Sequence, residues 1–126
     1  MVLGGRVYPA LTYRDVDAAL IWLADAFGFE THLLADGGAM VRYRDAVALI
    51  QSDRPKDLHG THLGMAWVYV VVDDADGHYA RAQAAGADLQ GQPHDYGDGY
   101  RGYSVRDLEG NLWTFGTGPV AVPARE

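Results

Sequence analysis

The sequence predicts an α+β fold, in which one domain over residues 1–126 contains two βαβββ modules. Three observations predict this fold. A short strand, an aspartate that can cap a helix and a helix ended by glycine occur twice along the chain. The two aspartates lie 59 positions apart, and three short strand candidates follow each helix. The expected bounds are about 5–52 for module one, 53–65 for the linker, 66–117 for module two and 118–126 for the tail.

The first module opens with an alternating strand from Arg6 to Tyr13. Asp15 favours the start of a helix, and apolar residues recur at helical spacing through "DAALIWLADAF". Gly28 predicts the end of that helix, because glycine readily adopts the left-handed conformation of a helix C-terminus. The segments "ETHLLA", "AMVRYR" and "AVALIQ" then predict three strands.

The second module repeats this order. A β-rich run from Ala66 to Asp73 leads to Asp74 as the capping residue, and a helix through "YARAQAA" ends at Gly86. The segments "ADLQ", "RGYSVR" and "NLWTFG" predict the three following strands. A loop rich in glycine and aspartate, "GQPHDYGDGY", separates the first two of them.

One module has four strands and a single helix, so its helix can cover only one face of its sheet. The other face must be covered by a second module or by another chain. We therefore expect cupped mixed sheets and a homodimer, and we leave open whether strands or modules are exchanged between the chains.

Composition excludes several classes of function. The formal net charge of −7 and the pI near 5.0 argue against nucleic acid or an anionic membrane surface as a partner. The absence of cysteine excludes disulfides, thiolate metal sites and cysteine nucleophiles. The N-terminus lacks the layout of a signal peptide, and no apolar run approaches the roughly 20 residues that span a bilayer. These features predict a soluble, cytoplasmic protein.

Several segments together carry a family resemblance. The paired modules, "AFGFE" after the first helix, "RAQAAGADL" in the second half and "GYSVRDLEGNLWTFGT" near the end resemble the vicinal oxygen chelate superfamily. The resemblance extends from Val7 to Thr117. This superfamily includes glyoxalases, extradiol dioxygenases, fosfomycin-inactivating transferases and the bleomycin resistance proteins. It implies a homodimer with a ligand cavity in each cupped sheet.

The resemblance also implies four positions at which related enzymes bind a metal. They fall on Tyr8, on Trp67, on Thr114 and on either Leu49 or Gln51. Trp67 offers an N–H donor and no lone pair, and neither a phenol nor a threonine hydroxyl is a usual metal ligand. We therefore expect no metal, no cofactor and no catalytic residue, and the ligand-binding branch typified by the bleomycin resistance proteins is favoured.

Strand alternation predicts which side chains face the cavity. Tyr8 and Thr12 share one face of the first strand, and Trp67 and Tyr69 share the corresponding face of the second module. Trp113 and Phe115 are expected to pack against a helix. The opposite register would line the cavity with Pro9, Leu11, Val68, Val70, Trp113 and Phe115.

Further tyrosines occur in "DYGDGYRGY", beside the expected cavity mouth. A tyrosine combines an apolar ring with a hydroxyl, which suits ligand recognition, although these residues could equally cover a sheet edge. The candidate ligand-binding residues are Tyr8, Thr12, Leu49, Gln51, Trp67, Tyr69, Tyr96, Tyr100, Tyr103 and Thr114.

The histidines and arginines are weaker candidates. His59 and His62 in "HGTH" could share a metal, but a surface loop is the simpler interpretation. We expect His32, His78 and His94 to face solvent or to make local hydrogen bonds. Arg42 and Arg44 could bind an anion, although solvated strand residues are commoner. The chain has neither a phosphate-binding glycine loop nor a serine nucleophile motif.

Two functions remain. The favoured one is a metal-free protein that sequesters a largely aromatic drug or secondary metabolite in a cavity of the dimer and so confers resistance or tolerance. The alternative is a glyoxalase-type, metal-dependent lyase or isomerase, for which Gln51, His62 and Glu109 would be the first ligand candidates. An accessory domain whose cavity binds nothing is a third, plainer possibility.

Overall fold

The computed structural model describes residues 7–35, 37–53 and 62–118. It contains two mixed sheets and two helices, which confirms the α+β class and the repeated order of elements. The elements of the first module are β1 Ala10–Tyr13, α1 Val16–Phe27, β2 Glu30–Leu33, β3 Ala39–Tyr43 and β4 Ala46–Ser52. Those of the second module are β5 Trp67–Val71, α2 Ala75–Ala84, β6 Asp88–Leu89, β7 His94–Asp95, a 3₁₀ turn Gly97–Gly99, β8 Arg101–Arg106 and β9 Leu112–Gly116.

The two sheets have the same topology. The first has the order β1-β4-β3-β2, and the second has the order β5-β9-β8-β6. In each sheet the opening strand pairs in parallel with the closing strand, and the remaining pairs are antiparallel. The second sheet differs at one edge, where β6 and β7 both pair with β8. β6 lies within the predicted strand "ADLQ", whereas β7 lies in "GQPHDYGDGY", which was predicted as a loop.

Both helices begin at the predicted aspartates. The carboxylates of Asp15 and Asp74 each accept a backbone N–H from the first turn, at 3.0 Å, which satisfies one of the donors that a helix N-terminus leaves free. Gly28 ends α1 with φ of 80°, a conformation that costs glycine little. The second helix ends at Ala84 with Ala85 as its C-cap residue, and Gly86, whose φ is 76°, follows directly.

The core lies between the helices and the two sheets, and Phe27 at the end of α1 is at its centre. The Phe27 ring lies 5.4 Å from the ring of Trp113 and 4.7 Å from that of Phe115. Both partners are fully buried. The prediction that Trp113 and Phe115 pack on the helix side is therefore confirmed.

The two modules also meet through their helices. Arg81 of α2 donates two hydrogen bonds to the carbonyls of Ala24 and Asp25 near the end of α1, at 3.0 and 3.1 Å. His78 was expected to face solvent or to bond locally, and this prediction is wrong. Its ring is buried and joins the backbone of Phe27 to the hydroxyl of Tyr103, at 2.9 and 2.6 Å.

A buried carboxylate adds a second connection between the modules. Asp107, at the start of the β8–β9 turn, accepts a hydrogen bond at 2.5 Å from the hydroxyl of Tyr13 on β1. It also accepts the indole N–H of Trp113, the side-chain amide of Asn111 and two backbone N–H groups of the turn. Burial first, and then the adjacent Asp107, raise the pKa of Tyr13 well above the usual range, so its hydroxyl remains a donor.

Candidate ligand-binding face

The second sheet has one face packed on the core and one face turned away from the helices, which we call the open face. Trp67 and Tyr69 on β5 belong to it, since the alternate residue Val70 is buried in the core. Strand pairing brings further residues of β8 and β9 onto the same face, namely Gly102, Ser104, Thr114 and Gly116.

Trp67 dominates the open face. Trp67 is 71% exposed, whereas Trp113 on the other face of the same sheet is fully buried. The ring is nevertheless fixed, because its N–H donates to the hydroxyl of Thr114 at 3.0 Å. The Thr114 hydroxyl in turn lies 2.8 Å from that of Ser104. Trp67 therefore presents an oriented aromatic surface to solvent.

Three tyrosines rest on glycines beside Trp67, and we call them the tyrosine shelf: Tyr69, Tyr96 and Tyr100. Gly102 and Gly116 are paired across β8 and β9. A Cβ atom on Gly116 would collide with the hydroxyl of Tyr69, and one on Gly102 would lie 3.0 Å from the ring of Tyr96. A Cβ atom on Gly118 would likewise collide with the ring of Tyr100. The missing side chains thus provide the space in which the three rings lie.

The hydroxyls of the shelf differ in their partners. Tyr69 donates to the carbonyl oxygen of Gly118. Burial raises the pKa of Tyr69, the nearby phenols of Tyr96 and Tyr100 add to the rise, and the hydrogen bond to Gly118 opposes it. Within the described residues, the hydroxyls of Tyr96 and Tyr100 make no hydrogen bond to protein.

An ion-pair network on the opposite side of the sheet holds the loop that carries Tyr96 and Tyr100. The guanidinium of Arg101 contacts both carboxylate oxygens of Asp76 on α2, at 2.9 and 3.1 Å, and a carboxylate oxygen of Asp95 at 3.1 Å. The hydrogen bonds of Arg101 lower the pKa of Asp76 below its ordinary value. The loop itself closes through a 2.7 Å hydrogen bond from the Tyr96 N–H to the Tyr100 carbonyl.

The candidates of the first module divide between two places. Thr12 pairs with Gln51 across β1 and β4, and Leu49 shares the Gln51 side of β4, so these three lie on the corresponding open face of the first sheet. Tyr8 instead lines a cleft of about 240 Å³ between the modules. Apolar residues of β5, including Val68 and Val70, line the other side of that cleft.

The structure separates Tyr103 from the other candidates. Its side chain points to the helix side of β8, is 1% exposed and bonds to His78. The alternation within "RGYSVR" contained this information, since it places Ser104 opposite to Tyr103. The sequence analysis did not single out Ser104, nor the glycines beneath the tyrosine shelf, which are Gly102, Gly116 and Gly118. The importance of these glycines depends on which ring lies over each of them in space, and the local sequence does not show that.

The residues at the implied metal positions do not fit a metal site. The Trp67 N–H and the Thr114 hydroxyl are engaged with each other, and neither is a usual metal ligand. Among residues 7–35, 37–53 and 62–118, no group of three His, Asp or Glu side chains could hold an ion. Of the alternative candidates, Glu109 is paired with Arg14, Gln51 lies in the first sheet and His62 is exposed. His59 lies outside the described residues.

The paired βαβββ modules and their two mixed sheets define the vicinal oxygen chelate class of folds. The sequence profile of the glyoxalase/bleomycin resistance protein/dioxygenase superfamily matches residues 5–115, and the chain belongs to this superfamily. No functionally curated protein matches the chain.

Solved structures share this fold. TioX from Micromonospora sp. ML1 is 30% identical, with 94% of this chain and 100% of that chain covered and a TM-score of 0.74. The bleomycin-binding protein of bleomycin-producing Streptomyces verticillus, solved with copper(II)-bleomycin, is 23% identical, with coverage of 94% and 100% and a TM-score of 0.69. The virulence protein STM3117 of Salmonella typhimurium is 16% identical, with coverage of 92% and 98% and a TM-score of 0.72. In the part of the chain that the structure describes, neither helix has the length and apolarity needed to cross a bilayer.

Proposed function

We propose that this protein binds a small, largely aromatic molecule, such as a drug or a secondary metabolite, and sequesters it without chemical change. One observation carries this proposal: the Trp67 ring is 71% exposed and is held in a fixed orientation by Thr114. Ring stacking on an oriented indole stabilises a flat ligand by about 0.5–1.5 kcal/mol beyond the burial of apolar area. Sequestration of a toxic ligand would confer resistance or tolerance.

The proposed cavity includes a second copy of the chain. The open faces carry Trp67 and Tyr69 on the second sheet and Leu49 on the first, and none of the described residues of the chain covers the Trp67 ring, which is exposed. A tightly bound ligand requires enclosure on more than one side. A two-fold dimer that places an open face of one chain opposite that of its partner would supply it.

Two observations support this proposal, one from a relative and one from this chain. The bleomycin-binding protein has the same fold and was solved in complex with copper(II)-bleomycin. The donor set at the implied metal positions of this chain is also unsuited to metal-assisted catalysis, because Trp67 supplies no lone pair. A binding function agrees with both observations.

Indole fluorescence tests the proposal. Trp67 is exposed, whereas Trp113 is fully buried and Trp22 packs against Phe27 at 4.9 Å, so a ligand stacked on the open face should quench mainly Trp67. Titration with a panel of flat aromatic drugs should quench wild type and Trp22→Phe, but not Trp67→Phe. Trp67→Ala should weaken binding by about 1–3 kcal/mol.

Two outcomes would overturn the proposal. One is quenching that persists in Trp67→Phe with unchanged affinity, since the ligand would then lie elsewhere. The other is chemical conversion of the ligand that depends on an added divalent metal. Sedimentation in the tens of micromolar range tests the proposed dimer, and a monomer both with and without ligand would contradict it.

A further inference from the structure

We propose that the tyrosine shelf is a polar subsite that recognises a neutral hydrogen-bond acceptor, above all a carbonyl group, on the edge of the aromatic ligand. This inference rests on the proposed function, because it assumes that the ligand's ring lies against Trp67. It adds a chemical class: fused aromatic carbonyl compounds should be preferred over hydrocarbons of the same shape.

The available donors on the open face lead to this class. The Trp67 N–H is used by Thr114, whose hydroxyl is shared with Ser104, and the Tyr69 hydroxyl donates to Gly118. The hydroxyls of Tyr96 and Tyr100 make no hydrogen bond to protein within the described residues. Each can donate a proton to a ligand. Arg106 belongs to the same face by strand alternation and, among the described residues, uses one N–H group on the carbonyl of Gly110, but it lies at the opposite end of β8 from Gly102.

Charge favours a neutral acceptor. Arg101 lies next to Tyr100 in sequence, but its guanidinium is directed to the helix side and is engaged by Asp76 and Asp95. Arg106 lies at the far end of β8 and donates to the carbonyl of Gly110. The whole chain carries a net charge of −7. Among the described residues no unpaired cation lies beside the shelf, so a carboxylate or phosphate would enter a negative field without neutralisation, whereas a carbonyl would lose little.

The shelf is arranged before a ligand arrives. Gly102 and Gly118 leave room for the rings of Tyr96 and Tyr100 to lie against the backbone. The loop is closed by the hydrogen bond from the Tyr96 N–H to the Tyr100 carbonyl. A hydroxyl that is already positioned loses less conformational entropy on binding. Tyr69 is two residues from Trp67 on β5, so the Cα atoms of these residues lie about 7 Å apart. Tyr96 lies over Gly102 on β8, two strands across the sheet from β5, so a ligand that contacts both the indole and the shelf needs the length of two or three fused rings with a carbonyl at one edge.

The experiment compares two probes of nearly identical shape, 9-fluorenone and fluorene, which differ by a carbonyl in place of a methylene. Calorimetry or ligand-observed NMR would give the affinity of each probe for the full-length protein and for Tyr96→Phe, Tyr100→Phe and the double variant. Phenylalanine keeps each ring on its glycine and removes only the hydroxyl. Tyr79→Phe is the matched control, because Tyr79 lies on α2 and contacts Tyr103 on the helix side.

The readout is the ratio of the two affinities. We expect the ratio of fluorenone to fluorene affinity to fall by about 3- to 10-fold from wild type to the double variant, the range for loss of one hydrogen bond. Tyr79→Phe should leave the ratio unchanged. A ratio that is equal in wild type and double variant, with both probes bound, would overturn this inference and leave the proposed function intact. Failure of wild type to bind either probe, together with no aromatic drug quenching Trp67, would overturn both.

Discussion

The indole N–H of Trp67 donates a hydrogen bond to the hydroxyl of Thr114 at 3.0 Å. These are the two positions of the second module at which the family resemblance implies metal ligands. Here Trp67 supplies the hydrogen-bond donor and Thr114 supplies the acceptor, so the two side chains bond to each other. The consequence is a change of chemistry at these two positions: an oriented aromatic ring occupies the side of the sheet where the family resemblance implies a metal site.

Replacing Thr114 with valine should disorder the Trp67 ring. Valine keeps the shape of threonine but removes the acceptor, and the freed N–H can bond to water because Trp67 is exposed. We expect stability to change by less than about 1 kcal/mol, and affinity for an aromatic ligand to fall about 3- to 10-fold. Ser104→Ala is the control, since it removes the neighbouring hydrogen bond and leaves the Trp67 acceptor in place. Unchanged quenching and affinity in Thr114→Val would contradict the orienting role.

The substitution Gly116→Ala should displace Tyr69 from the tyrosine shelf. The added methyl group would occupy the place of the Tyr69 hydroxyl and break its bond to Gly118. We expect a loss of about 1–3 kcal/mol in the free energy of unfolding, the usual range for overpacking, and weaker ligand binding. Gly97→Ala is a suitable control, because nothing lies within 4 Å of a Cβ there. Urea denaturation of the two variants measures the difference, and equal midpoints would show that Tyr69 moves at no cost.

Sequence patterns predicted the repeated elements because the signals are local. Asp15 accepts the backbone N–H of Ala18 in the first turn of α1, and Gly28 has the positive φ that its position demands. Alternation in β9 turns Trp113 inward. The bounds of the linker and the tail remain predictions.

The site was only partly predictable, since it depends on contacts between distant segments. His78 is buried by residues that lie 25 and 51 positions away in sequence, and nothing in its neighbourhood on α2 indicates this. The shelf likewise arises from pairing Gly102 with Gly116 and from a loop that returns Tyr96 over them. A list of tyrosines from the sequence therefore included Tyr103, which the strand turns to the other side.

The substitution Asp107→Asn should destabilise the whole domain. The two carboxylate oxygens of Asp107 accept five hydrogen bonds in a buried site, including those from Tyr13 and Trp113. In Asp107→Asn an amide nitrogen replaces one carboxylate oxygen. This nitrogen donates and cannot accept from the surrounding donors, so at least one buried N–H or O–H is left unpaired. We expect a loss of about 2–4 kcal/mol in the free energy of unfolding. Asp88→Asn is the control, because Asp88 is exposed and its carboxylate accepts from Gln90. Equal losses in the two variants would show that the buried network contributes nothing of its own.

The buried imidazole of His78 should make stability depend on pH. Its Nε2 lies 2.9 Å from the carbonyl oxygen of Phe27, which can only accept, so Nε2 carries the proton and Nδ1 accepts from the Tyr103 hydroxyl. Burial lowers the pKa of His78 below its ordinary value of 6.5, the positive charge of Arg81 lowers it further, and the bond to Phe27 opposes the change. Protonation of Nδ1 would also place a donor against the hydroxyl of Tyr103.

The direction of the pH effect follows from proton binding in the two states. Above about pH 6.5 the imidazole is neutral in both states, and the stabilisation is fully present. Below that pH the unfolded chain takes up a proton that the folded chain resists, so the free energy of unfolding falls, by up to about 1.4 kcal/mol per pH unit. Urea denaturation at pH 7.5 and pH 5.5 should show this loss in wild type and in the exposed-residue control His32→Gln. In His78→Gln the loss should be smaller, because glutamine does not titrate. An equal loss in all three proteins would mean that other groups govern the acid sensitivity of the fold.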